Sequence, residues 1–232
     1  STDTNGIIAK TVRFIGVGSH AGFAPSEGVN ALNMAQLALN NIHALRETFR
    51  DEDKVRVSVI ITEGGGLVNV VPSSVRMEIM VRAFSLEAMM DASRKVDRAM
   101  KAGALAIGGK VEINQKIGYM PLKADRRLSR LYRSNMIAFG GADEDSFVEV
   151  YQTAGSTDLG DLSQLMPCMH VWAGGVTGGL HTKDYRLADP ETAYILPAKM
   201  LALTVIDLLY NGAEEAKSIV AAYKPGFTKE SY

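Results

Sequence analysis

Cysteine is almost absent from this sequence: Cys168 is the single one among 232 residues. That count excludes an internal disulfide and any zinc site built on several thiolates. It fits a reducing compartment, and a cytoplasmic location is the expectation. An excess of one charge is missing too. With 25 Lys and Arg against 26 Asp and Glu, the net charge is −1. Neither nucleic acid nor an anionic membrane is favoured as a partner. No run approaches the roughly 20 apolar residues of a membrane span. The start, STDTNG, lacks an initiator Met and has no signal-peptide character, so a trimmed or partial chain is expected. The histidines His20, His43, His170 and His181 include no pair at helical ligand spacing and no His-x-Asp. A Gly-Lys-Ser/Thr phosphate loop and a Gly-x-Ser-x-Gly elbow are also absent, which disfavours nucleotide binding and a serine nucleophile.

What is present is a globular composition, 47% hydrophobic and 22% charged, over a length that suits one or two domains. Residues 7–18 read as a strand ending at glycines. Residues 28–49 place Leu32, Ala35, Leu39, Ile42 and Leu45 at helical spacing, with Ser26 and Glu27 as polar residues before them. Residues 55–64 alternate and are rich in β-branched side chains, and Gly64–Gly66 form a turn. Residues 67–84 read as a strand interrupted around Pro72, since proline cannot donate to a ladder. Residues 85–108 form a long amphipathic helix opened by Ser85 and closed at Gly108. Residues 110–119 are a further strand. The first 118 residues thus read β-α-β-β-α-β, the order of a ferredoxin-like sandwich.

The remainder reads differently. Helices are expected at 124–139, after residue 158 and at 190–212, with Pro190 near the first turn of the last. Strands are expected at 146–152 and 168–175, and a loop at 176–189. Two strands make a poor sheet, so residues 119–232 read as the end of an α/β domain that begins elsewhere.

Three stretches bear on chemistry. Glycines at 16, 18 and 22 follow a strand, but the third is four residues after the second, where a dinucleotide fingerprint needs three. His181 sits in a glycine-rich loop after a strand, where open α/β sheets place ligands. One histidine cannot build a zinc centre of three or four protein ligands. Gly155 and Ser156, opening a helix, offer backbone N–H groups to an anion or simply cap that helix.

Taken in order, SHAGFAPSEGVNAL, NVVPSSVRMEIMVRAF and GSTDLGDLSQLMPCMHVWAGG…LHTKDY resemble the motifs of the di-zinc aminoacylase, carboxypeptidase and amidohydrolase family. The phrase STDLGDLS is similar to the aminobenzoyl-glutamate utilisation hydrolases. The resemblance implies an α+β protein with a ferredoxin-like lid at 1–118, which also dimerises. It implies that 119–232 is the C-terminal part of an α/β catalytic domain. His20 resembles the lid histidine that reaches the partner subunit's site and polarises the scissile carbonyl, and Asn69 the asparagine beside it. Arg82, Gly155 and Ser156 resemble the groups that clasp the substrate carboxylate, and His181 the last zinc ligand. Two divalent metal ions, a small amide substrate and a homodimer are implied, with the first helix and an adjacent edge strand as its surface. The family's His-x-Asp, bridging Asp and Glu-Glu pair have no counterpart in this sequence. The resulting expectation is metal-dependent hydrolysis of an N-acyl or aminobenzoyl amino acid or small peptide by the whole protein, with this chain alone inactive. The alternative is a non-catalytic dimerisation or binding module.

Overall fold

The computed structural model describes residues 2–147 and 152–228. By contacts the chain divides into two compact units. One holds Thr4–Pro121 together with Ala154–Asp158; the other holds Ser1–Asp3, Leu122–Thr153 and Leu159–Tyr232.

The first unit is built from β1 (Gly6–Ile15), α1 (Ala31–Ala44), β2 (Arg56–Glu63), β3 (Ser74–Ala83), α2 (Leu86–Ile107) and β4 (Lys110–Tyr119). The four strands form an antiparallel sheet in the order β2-β3-β1-β4. This is the arrangement that the β-α-β-β-α-β order predicts. Alternation sets the faces. Ile8, Val12 and Phe14 of β1 and Val75, Met77, Ile79 and Val81 of β3 point into one core with the apolar stripes of α1 and α2.

Lys10 breaks that alternation, because it sits in the core-facing row between Ile79 and Gln115. Its side chain is fully buried. Its Nζ donates to Asp97 Oδ1 at 2.7 Å and to Gln115 Oε1 at 2.6 Å, and Ser93 Oγ donates to the same Gln115 oxygen at 2.9 Å. An unpaired charge there would cost several kcal/mol. Paired, it ties α2 to β1 and β4.

The helix ends follow local chemistry. Ser85 accepts a bond from Ala88 N at the start of α2, and Gly108 closes it in the left-handed region at φ 77°. The start of α1 differs from the sequence expectation. Asn30 is its cap, accepting from Leu32 N and Asn33 N, while Ser26 and Glu27 lie in a separate 3-10 turn. The buried stripe of α1 is Ala31, Met34, Ala35, Ala38 and Ile42, and Leu32 faces outward. β3 begins at Ser74, so Pro72 precedes it rather than interrupting it.

The second unit carries α3 (Arg126–Phe139), α4 (Leu159–Leu162), β5 (Val176–Thr177), β6 (Arg186–Leu187) and α5 (Leu196–Ala222). Asp125 caps α3. The strand predicted at 146–152 falls largely outside the described residues, and Gln152–Thr153 form a two-residue strand. The segment predicted as a strand at 168–175 joins no ladder among the described residues. The loop predicted at 176–189 contains a hairpin, with Val176 opposite Leu187 and Thr177 opposite Arg186.

Among the described residues, one helical stretch, Glu191–Ala222, is long and apolar enough to cross a membrane by length and composition. Lys199 and Asp207 interrupt it in the sequence, so it contains no unbroken apolar run of that length. The stretch is not one continuous helix: it opens with a π turn at Glu191–Ile195, and non-helical angles at Tyr210–Ala213 break α5. Before that break it packs on α3, where Asn135 Nδ2 donates to Asp207 Oδ2 at 2.7 Å.

Candidate functional site

Two loops meet at the end of the sheet where β1 finishes and β3 begins. Loop 16–29 pairs with itself through Val17 and Val29, each N–H donating to the other's carbonyl at 2.9 Å. It is joined to the segment before β3 by Ala21 N to Asn69 O and Val71 N to Ser19 O, both 2.9 Å. Gly16 makes this closure possible: a Cβ there would sit 1.9 Å from Val29 O. The effect is to hold His20 and Asn69 on neighbouring, exposed chains.

The His20 ring is fixed from one side. Its Nδ1 accepts from the backbone N–H of Gly22 at 3.2 Å and of Phe23 at 3.1 Å. The proton of the neutral ring is therefore on Nε2, a donor left for something outside the loop.

Arg82 stands at the opposite end of the same sheet. It lies eight residues along β3 from Ser74, about 27 Å at the usual rise of a strand. Its Nη1 reaches Ala154 O at 3.5 Å, which brings Gly155 and Ser156 beside it. Ser156 Oγ is buried and has no hydrogen-bond partner among the described residues. Arg56 faces Arg82 directly across the β2–β3 register, with its Nη1 donating to Val55 O at 2.9 Å. Sequence reasoning missed Arg56, because only strand pairing places it there. The expected helix after Gly155 and Ser156 has only four residues, Leu159–Leu162, so neither residue lies at the start of a long helix.

His181 lies in the second unit, exposed in the hairpin between β5 and β6 at φ 61°. No group of three or more His, Cys, Asp or Glu suited to a metal occurs among the described residues. These residues alone do not fit a di-metal centre. His43 is exposed on α1, with its Nδ1 3.4 Å from Arg46 Nε, and the His170 ring lies 5.3 Å from Trp172. Cys168 is buried, and burial pushes its thiol pKa upward, as suits a packed rather than a reactive cysteine. A cavity of about 900 Å³ in the second unit is lined by Arg126, Arg130, Tyr132, Arg133 and Trp172 among others. None of the candidate residues lines it.

Residues 2–107 match the peptidase dimerisation domain family. The chain is 32% identical over 209 residues to the Xaa-Arg dipeptidase of Mus musculus, a match covering 88% of this chain and 48% of that protein. It is 31% identical over 208 residues to the Xaa-Arg dipeptidase of Homo sapiens, covering 86% and 47%. The chain thus spans about half the length of the curated relatives it matches. Among solved structures, aminopeptidase PepT from Bacillus cereus aligns with a TM-score of 0.63 at 19% identity, over 92% of this chain and 53% of that one. Aminobenzoyl-glutamate utilization protein from Klebsiella pneumoniae aligns at 0.54 with 23% identity, over 71% and 43%. The chain is thus similar to the peptidase dimerisation domain over residues 2–107 and to these dipeptidases over most of its own length.

Proposed function

We propose that the whole protein is a metal-dependent hydrolase of the amide bond in an N-acyl or aminobenzoyl amino acid or a small peptide. Residues 1–118 are its lid, and 119–232 are part of its catalytic domain. The observation that carries this reading is the meeting of Arg82 with segment 154–156 inside one compact unit. A planar guanidinium reaching the segment that carries a buried hydroxyl with no partner among the described residues suits a carboxylate. His20 supplies the second element, a preorganised Nε2–H donor for the oxyanion that develops on the scissile carbonyl. His181 is the residue this chain offers to a metal. Zinc is the metal we assign, a Lewis acid that activates water when bound. Its other ligands are not among the described residues, and the groups on this chain act on the substrate carboxylate and the oxyanion.

The separation of the two half-sites supports a homodimer. The carboxylate and the carbonyl of one small substrate are a few ångströms apart, while Arg82 and His20 sit at opposite ends of a ten-residue strand. One chain cannot place both on one amide; the His20 that acts beside a given Arg82 comes from a second copy.

The test is subunit mixing in the whole protein. His20→Ala and Arg82→Ala homodimers should each be impaired on an N-acyl amino acid. An equal mixture, unfolded and refolded together, should recover about a quarter of the unsubstituted activity, because half the dimers are mixed and each of those keeps one intact site. A mixture no more active than its components overturns the two-chain site. Absence of hydrolysis by the unsubstituted protein leaves the dimerisation module as the reading.

A further inference from the structure

The loop that fixes His20 also presents a large apolar side chain next to it. Phe23 is 89% exposed, and its ring meets the His20 ring edge-on, with centroids 6.5 Å apart. Val17 shares its loop, and Leu67, Val68 and Val70 lie on the segment bonded to that loop. All four are exposed, Leu67 to 69%. Single exposed apolar residues mean little, but a group on two joined loops around a polar donor marks a surface that meets something. Phe23 is also tied to the donor through the backbone, because its own N–H is one of the two that set the His20 tautomer.

We propose that Phe23 is a specificity-determining residue that selects substrates with an apolar or aromatic group on the acyl side of the scissile amide. The proposal rests on the hydrolase reading above and extends it to the substrate class. A carbonyl oxygen held by His20 Nε2 brings its carbon near the Phe23 ring, and because the amine side carries the carboxylate toward Arg82, the acyl substituent is the part left to meet that ring. An aromatic ring there rewards an aromatic or branched acyl group by apolar burial and ring packing. It offers little to a short or anionic one.

The experiment compares N-benzoyl and N-acetyl derivatives of one amino acid in the whole protein and in its Phe23→Ala variant. The exposed position makes loss of folding easy to exclude by a melting curve, and sedimentation reports the oligomer. The variant should lose about tenfold in kcat/KM on the benzoyl substrate and stay within about twofold on the acetyl substrate. Phe23→Leu should lie between the two. Equal losses on both substrates, or no loss, overturn the proposal and leave the hydrolase reading intact. Dissociation of the Phe23→Ala oligomer also overturns it, by assigning the ring to the subunit interface. No hydrolysis of either substrate by the unsubstituted protein overturns the hydrolase reading and this proposal with it.

Discussion

His20 and Arg82 act on different charges in the proposed reaction, so their losses should appear in different constants. A donor to the oxyanion gains strength only as negative charge builds on the carbonyl oxygen. His20→Ala should lower kcat by roughly 10²–10³ with little change in KM. The substrate carboxylate is charged in ground state and transition state alike, so Arg82→Ala should raise KM by roughly 10–100-fold and leave kcat near its original value. Arg82→Lys should recover little, because an ammonium lacks the two-pronged fork. Steady-state kinetics beside a melting curve separate this from a structural role. Two normally melting variants with unaltered kinetics would sink both assignments. Arg82 binds Ala154 O only at 3.5 Å, so truncating it should cost the fold little.

At the scale of elements, α1 and α2 lie so close that one residue between them has to be glycine. A Cβ on Gly103 would sit 2.5 Å from Met34 O and 2.8 Å from Ala38 N. Both are backbone atoms of α1 and cannot swing aside. Helix propensity alone favours alanine over glycine inside α2 by about 1 kcal/mol. Overpacking a tight contact costs about 1–3 kcal/mol, so packing wins. Gly103→Ala should lower the melting temperature of the chain in a thermal scan, whereas a rise would mean that the helices separate easily. The same layer holds the Lys10–Asp97 pair, a contact across 87 residues that orients α2 on the sheet.

For the molecule as a whole, the sheet ends in two open edges, β2 and β4. β2 presents Ile60 at 59% exposure and Ile61 at 44%, and an apolar open edge invites pairing with a second copy. Sedimentation of the chain at micromolar concentration should give twice the mass of one chain. Ile61→Lys should shift it to the monomer. A monomeric unsubstituted chain argues against dimerisation through this domain. A dimer that survives Ile61→Lys moves the interface away from the β2 edge.

Local patterns reach far in this protein where the chain's own chemistry decides. The strand at 110–119 and the helix between Ser85 and Gly108 are legible because alternation, a serine cap and a left-handed glycine act within a few residues of themselves. The ferredoxin-like order follows from those elements, and motif resemblance is what singles out His20, Asn69, Arg82, Gly155, Ser156 and His181 as candidates. Other features depend on partners distant in sequence. Segment 168–175 has a strand's composition but joins no ladder among the described residues, and composition alone does not supply the neighbour that a strand bonds to. Asn30 caps α1 where Ser26 and Glu27 stood nearer the motif, because the loop first closes on itself through Val17 and Val29. Lys10 reads as an ordinary strand lysine until Asp97 and Gln115 arrive to bury it. Tertiary structure alone puts Arg56 opposite Arg82, draws residues 154–158 onto the first unit, and sets His20 at the far end of the sheet from Arg82. Pairing register and chain closure determine those distances, and neither is a property of any short stretch of sequence.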